Sequence, residues 1–341
     1  MKETTKLLAP LVLIPALALS SCADEAQEQM NESDSGDNTL TVYTSEPQEK
    51  IDEIIDAFAE VNPDAEIDVF RAGTGELKTR VASEKETGEI QADVILAADV
   101  PTFEDYAAEG DLAELNLENT DSLDDSYVDE DNYWVGTRLI PTIIAVNTDV
   151  ISEEDEPSLW QDLTNSDYEG QIAMPNPDVS GAAAFNTAVW RSSDQLGDQW
   201  LEDLVANDPT ILESNGPVGQ AVGEGTNGLG VVVDYVIRDL ADQGSPVKVV
   251  YPEDGAPYVS QPAGVFADSD NQELANQFVD FLISEDGQQM AVEQSYLPVR
   301  DDVGVPEGAP ELADLNLMNP DLEEIAAEQD EAVSYFNGLL K

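Results

Sequence analysis

The chain has 341 residues, 41% of them hydrophobic, and sets 73 Asp and Glu against 13 Lys and Arg for a formal charge of −60, with no histidine and one cysteine. A surface this acidic repels nucleic-acid phosphates and anionic headgroups, and without imidazole there is no Ser-His-Asp triad, no H-E-x-x-H zinc site and no histidine base. Nucleic-acid binding and most hydrolase chemistry are excluded, while the length exceeds what a single core usually serves and predicts two lobes. The acids are spread along the whole chain, which reads as a halophilic surface: at 1 M salt a Debye length of about 3 Å screens the self-repulsion. An acidic domain using charge for solubility is the alternative.

Lys2 and Lys6 precede an apolar run over residues 7–19 that ends in Ser20-Ser21-Cys22. This predicts a secretory signal over residues 1–21, the run being too short to span a bilayer core of about 30 Å. Leu19-Ser20-Ser21-Cys22 resembles a bacterial lipobox, which implies acylation of Cys22, and a lone exported thiol has no disulfide partner. A plain cleaved signal with an incidental cysteine is the bland alternative. Residues 22–38 carry one large apolar side chain, Met30, and read as a flexible tether behind the lipidated cysteine. The expected location is outside the cytoplasm, lipid-anchored at the outer face of the cell membrane or in the periplasm.

A β-rich run at 39–44 (TLTVYT) comes first, then a helical stretch from Ser45 in which Ile51, Ile54, Ile55 and Phe58 recur at helical spacing up to Asn62-Pro63. A strand at 66–71 follows, and Gly73-Thr74-Gly75 leads into a helix carrying Leu77 and Val81. An apolar strand at 92–98 precedes a helix that opens near Pro101. The long apolar run at 139–146 reads as the crossover to a second lobe, with strands at 171–174, 229–235 and 247–251 and helices at 180–190 and around Trp200. Residues 263–267 lead back, and helices at 274–283 and 323–340 close the chain. The alternation predicts an α/β protein with two lobes, each a mostly parallel sheet flanked by helices, and a hinged cleft between them. Lobe 1 is expected to comprise 39–140 and 264–341, and lobe 2 residues 141–263.

Gly223-Glu224-Gly225-Thr226-Asn227-Gly228 matches G-x-G-x-x-G but precedes a strand where a dinucleotide site must follow one, so it reads as a turn. Ser45-Glu46, Thr74-Gly75 and Ser180-Gly181-Ala182 each place a hydroxyl and free N–H groups at a strand-to-helix junction, where open α/β sheets bind ligands. Singly each is an N-cap; together they point to a small anion, or an anion bridging to a metal. Arg138, beside the crossover strand, suits either a phosphate or phosphonate or a neighbouring carboxylate. Asp99, Asp234, Tyr235, Tyr43 and Tyr258 are candidate hard oxygen ligands, with half-buried phenols and solvated acids as the plain alternatives.

The segments VYTS, AFAEVNPDAEI, GTGELKTRVASEKETGEIQADVILAAD, IIAVNTD, EGQIAMPNPDVSGAA, VVVDYVIRDLADQGSPVKVVYPEDG and FVDFLISEDGQQMAVEQSYLPVR, in this order behind a lipobox, resemble the extracellular solute-binding proteins of ABC importers. The resemblance is to the ferric-iron, 2-aminoethylphosphonate and sugar-phosphate-binding group with the type II periplasmic-binding-protein fold, and it covers nearly all of 39–341. It implies ligand contacts at Thr44-Ser45, Thr74-Gly75, 97–99, Ser180-Gly181 and Tyr235. Iron-binding members usually show two adjacent tyrosines where this chain has Asp234-Tyr235, so a phosphorylated or phosphonate anion is expected ahead of Fe(III). If iron were carried, Tyr43, Asp234, Tyr235 and Tyr258 would be its ligands. The expected protein is a monomer without resident cofactor or catalysis that binds a small molecule or ion, docks on an ABC permease and shifts between open and closed forms as ligand bridges the lobes. The rivals are a secreted glycosidase working through paired carboxylates, which can dispense with histidine, and a surface adhesion lipoprotein.

Overall fold

The computed structural model describes residues 38–341. The predicted signal, Cys22 and all but the last residue of the predicted tether lie outside the described residues. The first lobe is built from β1 (Thr39–Thr44), α1 (Gln48–Val61), β2 (Glu66–Arg71), α2 (Thr74–Thr87), β3 (Val94–Leu96), α3 (Val100–Glu109) and β4 (Val135–Gly136). β5 (Ile140–Asn147) then carries the chain into a second sheet with β6 (Ile172–Pro175), α4 (Gly181–Ser192), α5 (Gly197–Ala206), β7 (Thr210–Leu212), α6 (Asn215–Gly223), β8 (Leu229–Val233), α7 (Asp234–Asp242), β9 (Val247–Val250) and β10 (Tyr258–Val259). β11 (Pro262–Val265) returns to the first sheet, and α8 (Gln272–Ile283), α9 (Glu285–Glu293) and α10 (Leu322–Leu339) complete the chain.

The first sheet runs β2-β1-β3-β11-β4 and the second β10-β5-β8-β6-β7, with β9 also pairing along β5. Parallel pairing holds among β2, β1 and β3 and among β8, β6 and β7. The sheets are nonetheless mixed, because β11 runs antiparallel to β3 and β4, and β5 antiparallel to β8, β9 and β10. The strands that connect the lobes are therefore the ones that break the parallel pattern.

Hydrophobic periodicity explains the layers. α1 turns Ile51, Ile54 and Phe58 inward, and Phe58 meets Phe278 of α8 edge-on with ring centroids 5.2 Å apart. β5 is buried at every position, as a continuous apolar run between two packed faces must be. In the second lobe Trp160, Trp190 and Trp200 form a buried triad with centroids 5.0–6.4 Å apart in favourable tilted and edge geometries. Two expectations change. The strand expected at 229–235 stops at Val233, so Asp234 and Tyr235 open α7. The C-terminal end does not pack wholly with the first lobe: α10 lies along α4, reaches both α3 and α5, and sets Phe336 into the tryptophan core of the second lobe.

Candidate functional site

A cleft of about 710 Å³ separates the lobes, lined from both sides. Its most consistent feature is backbone: Pro47, Gly73, Ser180, Ser214 and Val233, the residues that precede α1, α2, α4, α6 and α7, all border it. Five helix N-termini thus turn their positive dipole ends toward one space, an arrangement that favours an anion. At α4 the Ser180 hydroxyl caps the helix by accepting from the Ala183 N–H at 3.3 Å, and it accepts a second bond from Asn215 Nδ2 at 3.1 Å. The N–H groups of Gly181 and Ala182 have no acceptor among the described residues.

Beside the cleft the lobes meet backbone to backbone. The Gly75 N–H donates to the Val179 carbonyl at 3.4 Å, and a Cβ on Gly75 would stand 2.1 Å from the Asp178 carbonyl oxygen. A Cβ on Gly181 would stand 2.6 Å from the Ala98 carbonyl oxygen. Only glycine permits so close an approach.

At one end of the cleft Glu46 is buried, its carboxylate accepting from Gln261 Nε2 at 2.5 Å and from the Tyr296 hydroxyl at 2.9 Å. Arg138 stands behind it, Nη1 3.5 Å from Glu46 Oε1 and its guanidinium 4.8 Å from the Tyr296 ring centroid. Tyr235 lines the cleft with its ring centroid 4.4 Å from that of Tyr296; burial and then the Glu46 charge push its phenol up. Arg71, at the end of β2, also lines the cleft, and its Nε donates to the Glu46 carbonyl at 2.6 Å. Among the described residues Arg71 and the terminal Lys341 are the bases that make no ion pair, in a chain with 73 acids.

Of the residues picked from sequence, Ser45, Thr74, Ser180, Gly181, Ala182 and Tyr235 border the cleft. Thr44, Gly75, Asp99 and Arg138 do not. Thr44 is spent on the turn, its hydroxyl donating to the Leu96 carbonyl and accepting from the Glu46 N–H. Gly75 lies in the seam. Asp99 turns toward α10, where it accepts from Gln329 Nε2 at 3.0 Å and from Thr102, with Lys78 3.7 Å away; burial pushes its carboxyl up. Arg138 is held by Glu46, so the plain carboxylate pairing is the one it makes. The oxygen set suggested for iron is not assembled: Tyr43 donates to Glu84, Asp234 is taken by Arg238 at 2.7 Å and Tyr251 at 2.9 Å, and Tyr258 donates to Asn319. Among the described residues no group of three Asp, Glu, His or Cys could hold a metal ion. Missed from sequence were Glu46 as a side chain, Lys50, Arg71, Asn215, Gln261 and Tyr296. Arg71 had a signal, a rare base at a strand end just before the Gly73-Thr74-Gly75 turn.

Residues 89–324 match the model of a family described as bacterial extracellular solute-binding protein. The chain is 25% identical over 266 residues to a probable ABC transporter periplasmic-binding protein of Sinorhizobium fredii, covering 73% of this chain and 70% of that one. Its fold is similar to that of iron-bound HitA from Pseudomonas aeruginosa, with TM-score 0.77, 22% identity and coverage of 88% of this chain and 99% of that chain. It is also similar to the periplasmic binding protein AfuA from Actinobacillus pleuropneumoniae with exogenous fructose-6-phosphate bound, with TM-score 0.78, 22% identity and coverage of 88% and 97%.

Proposed function

Since the chain belongs to the bacterial extracellular solute-binding protein family, whose role is binding and not catalysis, we propose that its cleft captures a small phosphorylated or phosphonate anion and delivers it to the permease of an ABC importer. The observation that carries this reading is Arg71, a guanidinium left without a carboxylate in a strongly acidic chain and placed where five helix N-termini converge. A planar fork and fixed N–H dipoles recognise a phosphoryl group without needing a metal. Capture is a two-state closure in which the ligand touches α1 and α2 on one side and α4, α6 and α7 on the other, so binding favours the closed form. The segments near 140–146 and 261–265, which cross between the sheets, are the hinge. Acylation of Cys22 would hold the domain beside its permease.

Ferric iron is the second reading, favoured by the adjacent Tyr235 and Tyr296 phenols beside the Glu46 carboxylate, which together offer hard oxygens. Against it, the ammonium of Lys50 lies 5.2 and 5.0 Å from the two ring centroids. The deciding experiment is thermal unfolding of the purified protein in high salt with fructose 6-phosphate, 2-aminoethylphosphonate or Fe(III)-citrate. A ligand at about 100 times its dissociation constant stabilises the folded form by about 2.7 kcal/mol. A shift with a phosphorus compound supports the anion reading; a shift with iron alone, together with a visible tyrosinate band, refutes it.

A further inference from the structure

Lys50 is in the first turn of α1, where a positive charge opposes the helix dipole, so helix stability does not explain it. Its side chain is mostly buried and its ammonium has four neighbours. It donates to the Gln294 carbonyl at 2.5 Å, pairs with Asp239 at 3.1 Å, and stands over the rings of Tyr235 and Tyr296. Asp239 and Tyr235 belong to α7, while Gln294 and Tyr296 lie just after α9. Two aromatic faces with a carboxylate in reach are the surroundings that receive organic ammonium groups. Here the protein's own lysine already fills them.

We infer that Lys50 determines specificity: as a built-in occupant of the Tyr235–Tyr296 pair it bars ammonium-bearing solutes from that end of the cleft, so that among small organophosphorus anions the protein selects those with a neutral, hydroxylated tail. The inference rests on the anion reading above and deepens it. A solute with an ammonium tail must either face the Lys50 charge or displace it from Asp239, the Gln294 carbonyl and both rings, and either course counts against that solute alone. A hydroxylated tail meets no such opposition, and the amides of Asn215, Gln220 and Gln261, which border the cleft, can bond it.

The test is calorimetric titration of the intact protein and of Lys50→Met with glycerol 3-phosphate, with phosphoethanolamine, and with tetramethylammonium as a phosphate-free probe, circular dichroism verifying the fold. The wild type should prefer glycerol 3-phosphate by about 30-fold, which is the scale of a desolvated cation–π contact. In Lys50→Met that ratio should fall toward one and tetramethylammonium binding should appear, whereas Lys50→Arg should keep the wild-type ranking. An unchanged ratio in folded Lys50→Met, or a wild type that prefers phosphoethanolamine, overturns the inference. If neither phosphate ester binds any variant, the anion reading fails. The tetramethylammonium arm then decides the role of Lys50: binding by Lys50→Met alone sustains it, binding by both proteins or by neither overturns it. Should Lys50→Met fail to fold, Lys50→Gln carries the same comparison.

Discussion

Replacing Gly75 by alanine isolates closure from ligand contact. The new Cβ would stand 2.1 Å from the Asp178 carbonyl oxygen, whereas real Cβ atoms stay beyond 3.0 Å, so the seam must part by about 1 Å at that point. Overpacking of this kind costs about 1–3 kcal/mol, and the cost falls on the closed form alone. Ligand affinity should therefore weaken by about 5- to 150-fold. The backbone of Gly75 lies outside the left-handed region and the residue sits inside α2, where alanine is the better helix former by up to about 1 kcal/mol. Where the open form dominates without ligand, the ligand-free protein should thus melt no lower than wild type. Gly216, at the matching position of α6 on the same cleft, has open space around its Cβ direction, so Gly216→Ala should bind as wild type does. Calorimetry with the ligand found in the thermal screen, beside melting curves without ligand, measures both effects. Equal affinities for Gly75→Ala and Gly216→Ala would refute the seam argument.

Three further outcomes follow from the geometry. Ser180→Leu should remove a helix cap worth about 1 kcal/mol in a melting curve. Because it also fills the mouth of α4, it should weaken binding by about tenfold or more in calorimetry; unchanged affinity would take Ser180 out of the site. Gln329→Leu should cost about 1.5–3 kcal/mol in urea denaturation, since buried Asp99 loses the donor that ties it to α10. Burial and then Glu84 push the Tyr43 phenol up to about 12, against about 10 in the unfolded chain. Folding favours the neutral phenol, so its contribution is whole below pH 10 and disappears as pH rises through 12. Tyr43→Phe should be less stable by about 1 kcal/mol at pH 8, and its urea midpoint should fall less steeply than that of wild type between pH 10 and 12.

The strands at 39–44 and 66–71 stand where the alternation puts them, because β-branched and aromatic residues there are bounded by clear turn signals. The strand expected at 92–98 shortens to Val94–Leu96. Its flanking alanines are apolar enough to extend the run but carry no β preference. The helix expected from Ser45 starts only at Gln48, since the Thr44 hydroxyl organises a turn first and Pro47 can only precede or open a helix. Helix starts were legible as site features because capping residues and glycines mark them locally. The far end of the cleft was not legible: Tyr235 and Tyr296 lie 61 residues apart, and their juxtaposition depends on how the two lobes meet. The bond of Asp99 was not legible for the same reason, its partner Gln329 arriving 230 residues later on α10.

The order of strands also shapes how the chain reaches its final form. All strands of the second sheet come from the uninterrupted segment between Ile140 and Val259, while the first sheet needs β11 to sit between β3 and β4. As the chain emerges N-terminus first, β1, β2 and β3 appear early yet lack the strand that completes their sheet until residue 265 is available. Loop closure over that span is entropically costly, so the second lobe should gain its hydrogen-exchange protection first in pulse-labelled refolding, and the first lobe should set the slow phase.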